Sequence, residues 1–360
     1  ASATVEGRSV RLRDVRIVSP AGELAGTADV AFAPRPTVHA ELSSTRLDLA
    51  ALHRRTTARP RLPALGAPVP LRMPAAAAPG HLIPDTALPF AALRAVDADI
   101  RLKLDEAAAG GQSLRDVLVH GELADGVLSL TAHATFGAAP VDLTSVVDAR
   151  SATPTIAVAL NAPALPVATV LAAFGQPAIA SGTLAAAANL HGAGATAHAM
   201  AASLDGFAAA SMSGGRIETK LLERALGPAV ARVNPLGVLG GAESDIRCLA
   251  VRATAAHGMV RFAPLLLSSP LLTIDGGGQV DLAAETVDLH LQPQGRAGGV
   301  AFSVPMTVRG DLGDPRIAVS DADAVATGLR AALALLAGKG RGEKAPAGPS
   351  CAEALAAARS

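Results

Sequence analysis

Strict alternation of polar and apolar side chains, returning again and again, limits the folds open to this chain more than any other feature. In Asp97–Leu104, Ala98, Ile100, Leu102 and Leu104 fall on one side, and Asp97, Asp99, Arg101 and Lys103 on the other. Successive side chains of a strand point to opposite faces, so the run reads as a half-buried β-strand. The pattern returns at Val127–Thr135, Val280–Gln292 and Phe302–Arg309, and Ser9–Ile17 already alternates. Strands of this kind build a broad sheet with one aliphatic face and one wet face. The functional question is what the aliphatic face covers, its own core or something else.

Along the chain, residues 1–55 read as two or three strands, the last ending near Leu52. Residues 56–85 read as a Pro-rich linker or loop, because Pro60, Pro63, Pro68, Pro70, Pro74, Pro79 and Pro84 do not fit inside regular elements. Residues 86–338 form the main β domain and residues 339–360 a linker with a Cys-containing tail. Strand signals restart at Phe90 and run to about Leu160. Asp125-Gly126 between apolar runs predicts a tight hairpin, whose central positions need positive φ. Helical spacing is read at 165–174, at 216–233 and at 322–337, the last capped by Ser320 or Asp321 and stopped by Gly338. Between these helices come strands at 181–191, then Ala199–Asp205 leading to a turn at Gly206. Further strands follow near 246–252, 258–267, 271–275, 278–283, 286–292, 301–309 and 316–319, separated by Gly, Pro and Asp as in all-β chains.

Composition narrows the function. The 360 residues carry zero net charge, only 17% charged side chains and 2% aromatics, with no Trp and no Tyr. A nucleic-acid partner would want a basic stripe with aromatic platforms, so that class is set aside. At 50% hydrophobic the chain is too apolar for extensive disorder. No run of about 20 apolar residues spans a bilayer as a helix, and no secretory signal opens the sequence. The chain begins inside strand-like sequence, so an N-terminal part is expected upstream of Ala1.

Catalytic constellations are missing from the sequence: no Gly-x-Ser-x-Gly elbow, no His-Glu-x-x-His, no phosphate-binding glycine loop. The nine histidines are scattered, and His120, His133 and His290 alternate with apolar neighbours, which puts them on the solvated face. The glycines at 276–278 read as a turn at positive φ in preference to a single, wrongly spaced calcium repeat. No metal, cofactor or enzyme chemistry is expected. Two cysteines, Cys248 and Cys351, allow one disulfide in an oxidising compartment or two buried thiols in a reducing one.

The second half carries ordered motifs. Gly182, Leu184, Leu190, Gly192 and Gly194 resemble the G-x-L-x-x-x-x-x-L-x-G-x-G opening of the AsmA family's C-terminal region. Ser203-Leu204-Asp-Gly206 resembles its S-L-x-G step, and Gly215-Arg-Ile217 the G-x-I that follows. Ile246-Arg-Cys248 looks like its L-x-C element, followed by Gly258. Ile274–Leu282 resembles x-x-G-x-G-x-V-D-L, and Pro305–Pro315 closely resembles the P-V-x-V-x-G-T-L-x-D-P close. Cys351–Leu355 matches a Cys-Ala-x-x-Leu-like tail, and upstream Leu88–Asp99 is also similar.

The resemblance implies a bacterial inner-membrane-anchored protein facing the periplasm and tied to outer-membrane biogenesis. It implies a long curled antiparallel sheet forming an open apolar groove, of the bridge-like lipid-transfer type, with a few short amphipathic helices. Acyl chains of phospholipid would lie against the lining while headgroups stay in water. The expected lining is Ile100, Leu102, Leu104, Leu128, Leu130, Val280, Leu282, Leu289, Leu291, Val304 and Met306; an ordinary closed core is the alternative for each. A periplasmic address favours a Cys248–Cys351 disulfide tying the tail to the sheet. The competing function is a non-enzymatic assembly factor for outer-membrane proteins or envelope polymers that carries no lipid.

Overall fold

The structure is a computed structural model; it describes residues 2–48, 51, 82–109, 112–168, 171, 180–218, 243–270, 272–297, 300–303, 305–319 and 350–359. Most of the expected linker at 56–85, half of the helix at 165–174, residues 219–233 of the helix at 216–233, the helix at 322–337 and Val304 lie outside these residues; residues 216–218 are the end of a strand and not helical. The chain is largely antiparallel β-sheet and divides into two compact units.

The first unit holds β1 (Ser2–Glu6), β2 (Ser9–Ser19), β3 (Gly22–Ala31), β4 (Thr37–Ser44), β5 (Leu47–Asp48), β6 (Asp97–Ala109), β7 (Gln112–Ala124), β8 (Val127–Phe136), β9 (Ala139–Asp148) and most of β10 (Thr155–Pro166). The N-terminal segment thus makes five strands, not two or three, because tight turns at Gly7–Arg8 and Pro20–Ala21 and short breaks at 32–36 and 45–46 cut its runs. The strands pair antiparallel, β5 with β3 and the others with chain neighbours, except that β6 runs parallel to β4 and β5. A parallel step needs a long crossover, and the Pro-rich segment lies between these two strands. β6 opens after the short helix α1 (Phe90–Leu93), where a strand was expected. Asp125 (φ 50°) and Gly126 (φ 80°) form the β7–β8 turn as the sequence predicts.

The first unit also takes the end of β11 (Ala180–Ala193) and α2 (Ala197–Ala202). α2 replaces the extended segment expected at 199–205. Thr196 caps it, its Oγ1 accepting from the Ala199 amide at 3.1 Å.

The second unit is a meander of β12 (Asp205–Glu218), β13 (Glu243–Asp245), β14 (Cys248–Ala256), β15 (Met259–Ser268), β16 (Leu272–Asp281), β17 (Thr286–Ala297), β18 (Val300–Ser303), β19 (Met306–Asp311) and β20 (Asp314–Val319), with the start of β11 and a C-terminal helix, α3 (Cys351–Arg359). The alternating run 280–292 is divided by a tight turn at Leu282–Glu285, where the sequence separates strands at 278–283 and 286–292. One expectation fails here. The glycines at 276–278 lie inside one strand, β16, and not in a turn. The reason is close backbone approach: a Cβ on Gly278 (φ +139°) would stand 2.2 Å from the Asp288 carbonyl oxygen, and one on Gly276 2.6 Å from that of His290.

Candidate functional site

Strand register sorts the first unit's side chains into two unlike faces, since directly paired residues share a face. One row runs Leu12, Ala28, Ala40, Ile100, Gly121, Leu130, Ser145, Val158 from β2 to β10. Its neighbours run Val10, Val30, Val38, Ala98, Leu123, Leu128, Val147, Ile156 and Gly26, Leu42, Leu102, Val119, Ala132, Leu143, Leu160. Ser145 is the one polar side chain in these three rows. The face is a continuous aliphatic surface across the strands, without an aromatic.

The intervening rows are polar. Thr27, Glu41, Arg101, His120, Thr131 and Thr144 stand in register on the other side. Arg101 bonds Glu41 (3.2 Å) and Asp99 (3.3 Å), His120 bonds Asp99 (2.9 Å), and His133 bonds Asp142 (2.6 Å). These histidines sit on the solvated face as read from sequence, each beside a carboxylate. At the β9–β10 turn the Arg150 guanidinium bonds Asp148 (2.5 Å) and holds its carboxyl down to about 2. In the second unit Arg309 likewise lowers Asp288 by a 2.8 Å hydrogen bond.

The aliphatic face is not uniform. At one end Leu104 is 3% exposed, packed with Ala21, Leu47, Ala107, Val117 and Ala134 in a closed core. Leu102 is half-buried and packs against this cluster; away from it Leu128 and Leu130 are half-buried and Ile100 is 42% exposed. A hollow of about 770 Å³ crosses β3, β4 and β6–β9. On most strands it takes two polar-row residues (Glu41 and Ser43, Arg101 and Lys103, Thr131 and His133, Asp142 and Thr144) around a single aliphatic-row residue. The hollow therefore opens on the polar side, and Leu102 is the one expected lining residue that touches it.

The second unit repeats the sorting. Ala208, Ala253, Phe262, Gly278, Leu289, Val308 and Ile317 share a row, next to Ala210, Val251, Leu265, Gly276, Leu291 and Met306, and to Ala255, Val260, Val280 and Val287. The expected residues Val280, Leu289, Leu291 and Met306 are thus on one face, with Met306 buried at 2%. Leu282 sits beyond the ladder in the β16–β17 turn. The opposite side carries Thr254, Arg261, Gln279, Asp288, Arg309 and Arg316 in register.

That polar side has one apolar island, and α3 lies on it. Cys248 and Ala250 are fully buried and Leu266 is 1% exposed, beneath Ala354 and Ala358 of the helix. Cys248 and Cys351 form a disulfide with Cα atoms 6.0 Å apart, closing 103 residues of chain. Arg252 stacks 4.6 Å over the Phe207 ring and donates to the Ala358 carbonyl at 3.4 Å. The sequence reading passed over this helix. Its signals are a capping box, Ser350-x-x-Glu353, and an apolar spacing at Cys351, Ala354, Leu355 and Ala358. Ser350 Oγ accepts from the Glu353 amide (3.2 Å) and the Glu353 carboxylate accepts from the Ser350 amide (2.9 Å), which lowers the Glu353 pKa.

Among the described residues no group of three or more His, Cys, Asp or Glu is placed to hold a metal ion, and no helix is long and apolar enough to cross a membrane. No curated protein and no solved structure matches the chain. The sequence model of the AsmA family matches residues 22–265, about two thirds of the length. Its match spans the aliphatic strands of the first unit and the start of the second, and by it the chain belongs to the AsmA family, a non-enzymatic, envelope-associated family of periplasmic proteins tethered to the inner membrane.

Proposed function

We propose that the chain binds or conducts phospholipid acyl chains along its aliphatic sheet faces, as part of lipid traffic between the inner and outer membranes. One observation carries the reading. Each unit presents an aliphatic face several strands wide, while the one described helix broadly packed on a sheet, α3, sits on the other side. A surface of Ala, Val, Leu and Ile suits methylene chains. Burial at about 25 cal/mol per Å², or about 0.8 kcal/mol per CH₂, holds an acyl chain without any specific polar contact. The polar rows keep the reverse side in water.

A second reading draws on the closed cluster around Leu104, where the chain fills its own face. If that filling extended over the whole face, the protein would be an assembly factor without lipid cargo. Native mass spectrometry with lipid extraction separates the two. The carrier reading expects co-purified phospholipid near one or more per chain, lost in Leu102→Asp or Leu289→Asp while circular dichroism stays unchanged. A folded chain that never carries lipid supports the assembly factor.

A further inference from the structure

We propose that α3 is a strap on the polar face of the second unit whose seating depends on the Cys248–Cys351 bond and not on the surface that the helix buries. The helix has 9 residues, too few to be stable alone in water. The side chains that it buries deepest are Ala354 and Ala358, the smallest apolar ones. Cys351 and Leu355 are half-buried beside them, and Arg252 of β14 donates to the Ala358 carbonyl. Yet the patch beneath is one that a polar face does not tolerate open: Cys248, Ala250 and Leu266, with Phe207 beside them under Arg252. A short helix that buries mainly alanines over a patch that needs cover calls for a covalent fastening, and the disulfide sits at the helix's first residue.

The geometry also gives a direction to reduction. Cys248 is fully buried and Cys351 is half-buried at the helix start. A dithiol reductant enters at Cys351 Sγ: its thiolate forms a mixed disulfide there, the Cys248–Cys351 bond breaks, and Cys248 leaves as a thiolate that takes up a proton. The reductant's second thiol then closes its own disulfide and releases Cys351, so two electrons and two protons pass to the cystine. The helix, no longer fastened, lifts and opens the patch.

Cys351→Ser tests this with a clean readout, because Cys248 becomes the sole thiol. The strap reading expects a maleimide to label Cys248 in the native variant within about tenfold of its rate in urea. Protection beyond that would show α3 seated by its contacts alone and overturn the proposal. If Cys351→Ser does not fold, the oxidised wild-type protein is treated with dithiothreitol and labelled in the same way: Cys248 labelling on a still-folded sheet supports the strap, and labelling of Cys351 only overturns it. Lipid content of the wild-type protein, measured alongside, bears on the proposed function and leaves this result untouched.

Discussion

The two units sort their strands by one rule and differ in how they treat the polar side. In the first unit that side is left to water, where Arg101 bridges Glu41 and Asp99 and His120 bonds Asp99. In the second unit the same side changes character over Cys248, Ala250 and Leu266, and there a helix is fastened on top. The closed cluster of the first unit lies on the aliphatic side instead, around Leu104. The difference teaches that an apolar patch inside a polar row marks a docked element, whereas among the described residues no helix packs broadly on the aliphatic faces several strands wide.

The sharpest way to break the comparison is to unfasten one unit only. Cys248→Ala in oxidised protein removes a 103-residue covalent loop, for which the chain-entropy argument gives about 4–5 kcal/mol. Calorimetry should show the second unit melting many degrees lower while the first keeps its transition; equal shifts in both would contradict separate treatment.

Next is the closed end of the first unit. Leu104→Ala, at 3% exposure, should cost about 2–5 kcal/mol in urea unfolding, and Ile100→Ala, 42% exposed on the same strand and face, within about 1 kcal/mol. Equal costs would mean that the face is closed throughout. Gly278→Ala should also destabilise the second unit by more than about 1 kcal/mol, since the added Cβ meets the Asp288 carbonyl at a positive φ. A neutral result would remove close backbone approach as the reason for that glycine.

The smallest effects are electrostatic. Asp148, held at about 2 by Arg150, and Glu353, lowered by Ser350, both favour the folded state when ionised. Their support is therefore complete above the ordinary carboxylate range near pH 4 and fades as pH falls toward the lowered folded values. Asp148→Asn should flatten the acid limb of the first unit's stability curve slightly, and Glu353→Gln that of the second. An unchanged acid limb in both would set these pairs aside.

Much of this was legible in the sequence because period-two alternation is itself the cause of the two faces. Ile100, Leu102 and Leu104 could be placed on one side from their spacing alone. Spacing could not say that Leu104 is sealed by Leu47 and Ala21, because that contact joins distant parts of the chain. Gly276 and Gly278 misled as a turn, since a close approach across strands looks like a turn signal until the register is known. The helix at 351–359 was legible after all, in Ser350-x-x-Glu353 and the apolar positions behind it, but a run of alanines hid its stripe. Leu265, Leu266 and Leu267 break the alternation because β15 carries a register shift and its polar side is covered there.

The most direct test places a photo-crosslinking residue singly along the two sides of both units. Positions Leu102 and Leu289 probe the aliphatic rows, and positions Thr131 and Arg309 the polar rows. Illumination in cells followed by lipid mass analysis should give phospholipid adducts through the acyl chains at Leu102 and Leu289 and none at Thr131 and Arg309. Adducts of equal yield on both sides, or none at Leu102 and Leu289, would contradict the account.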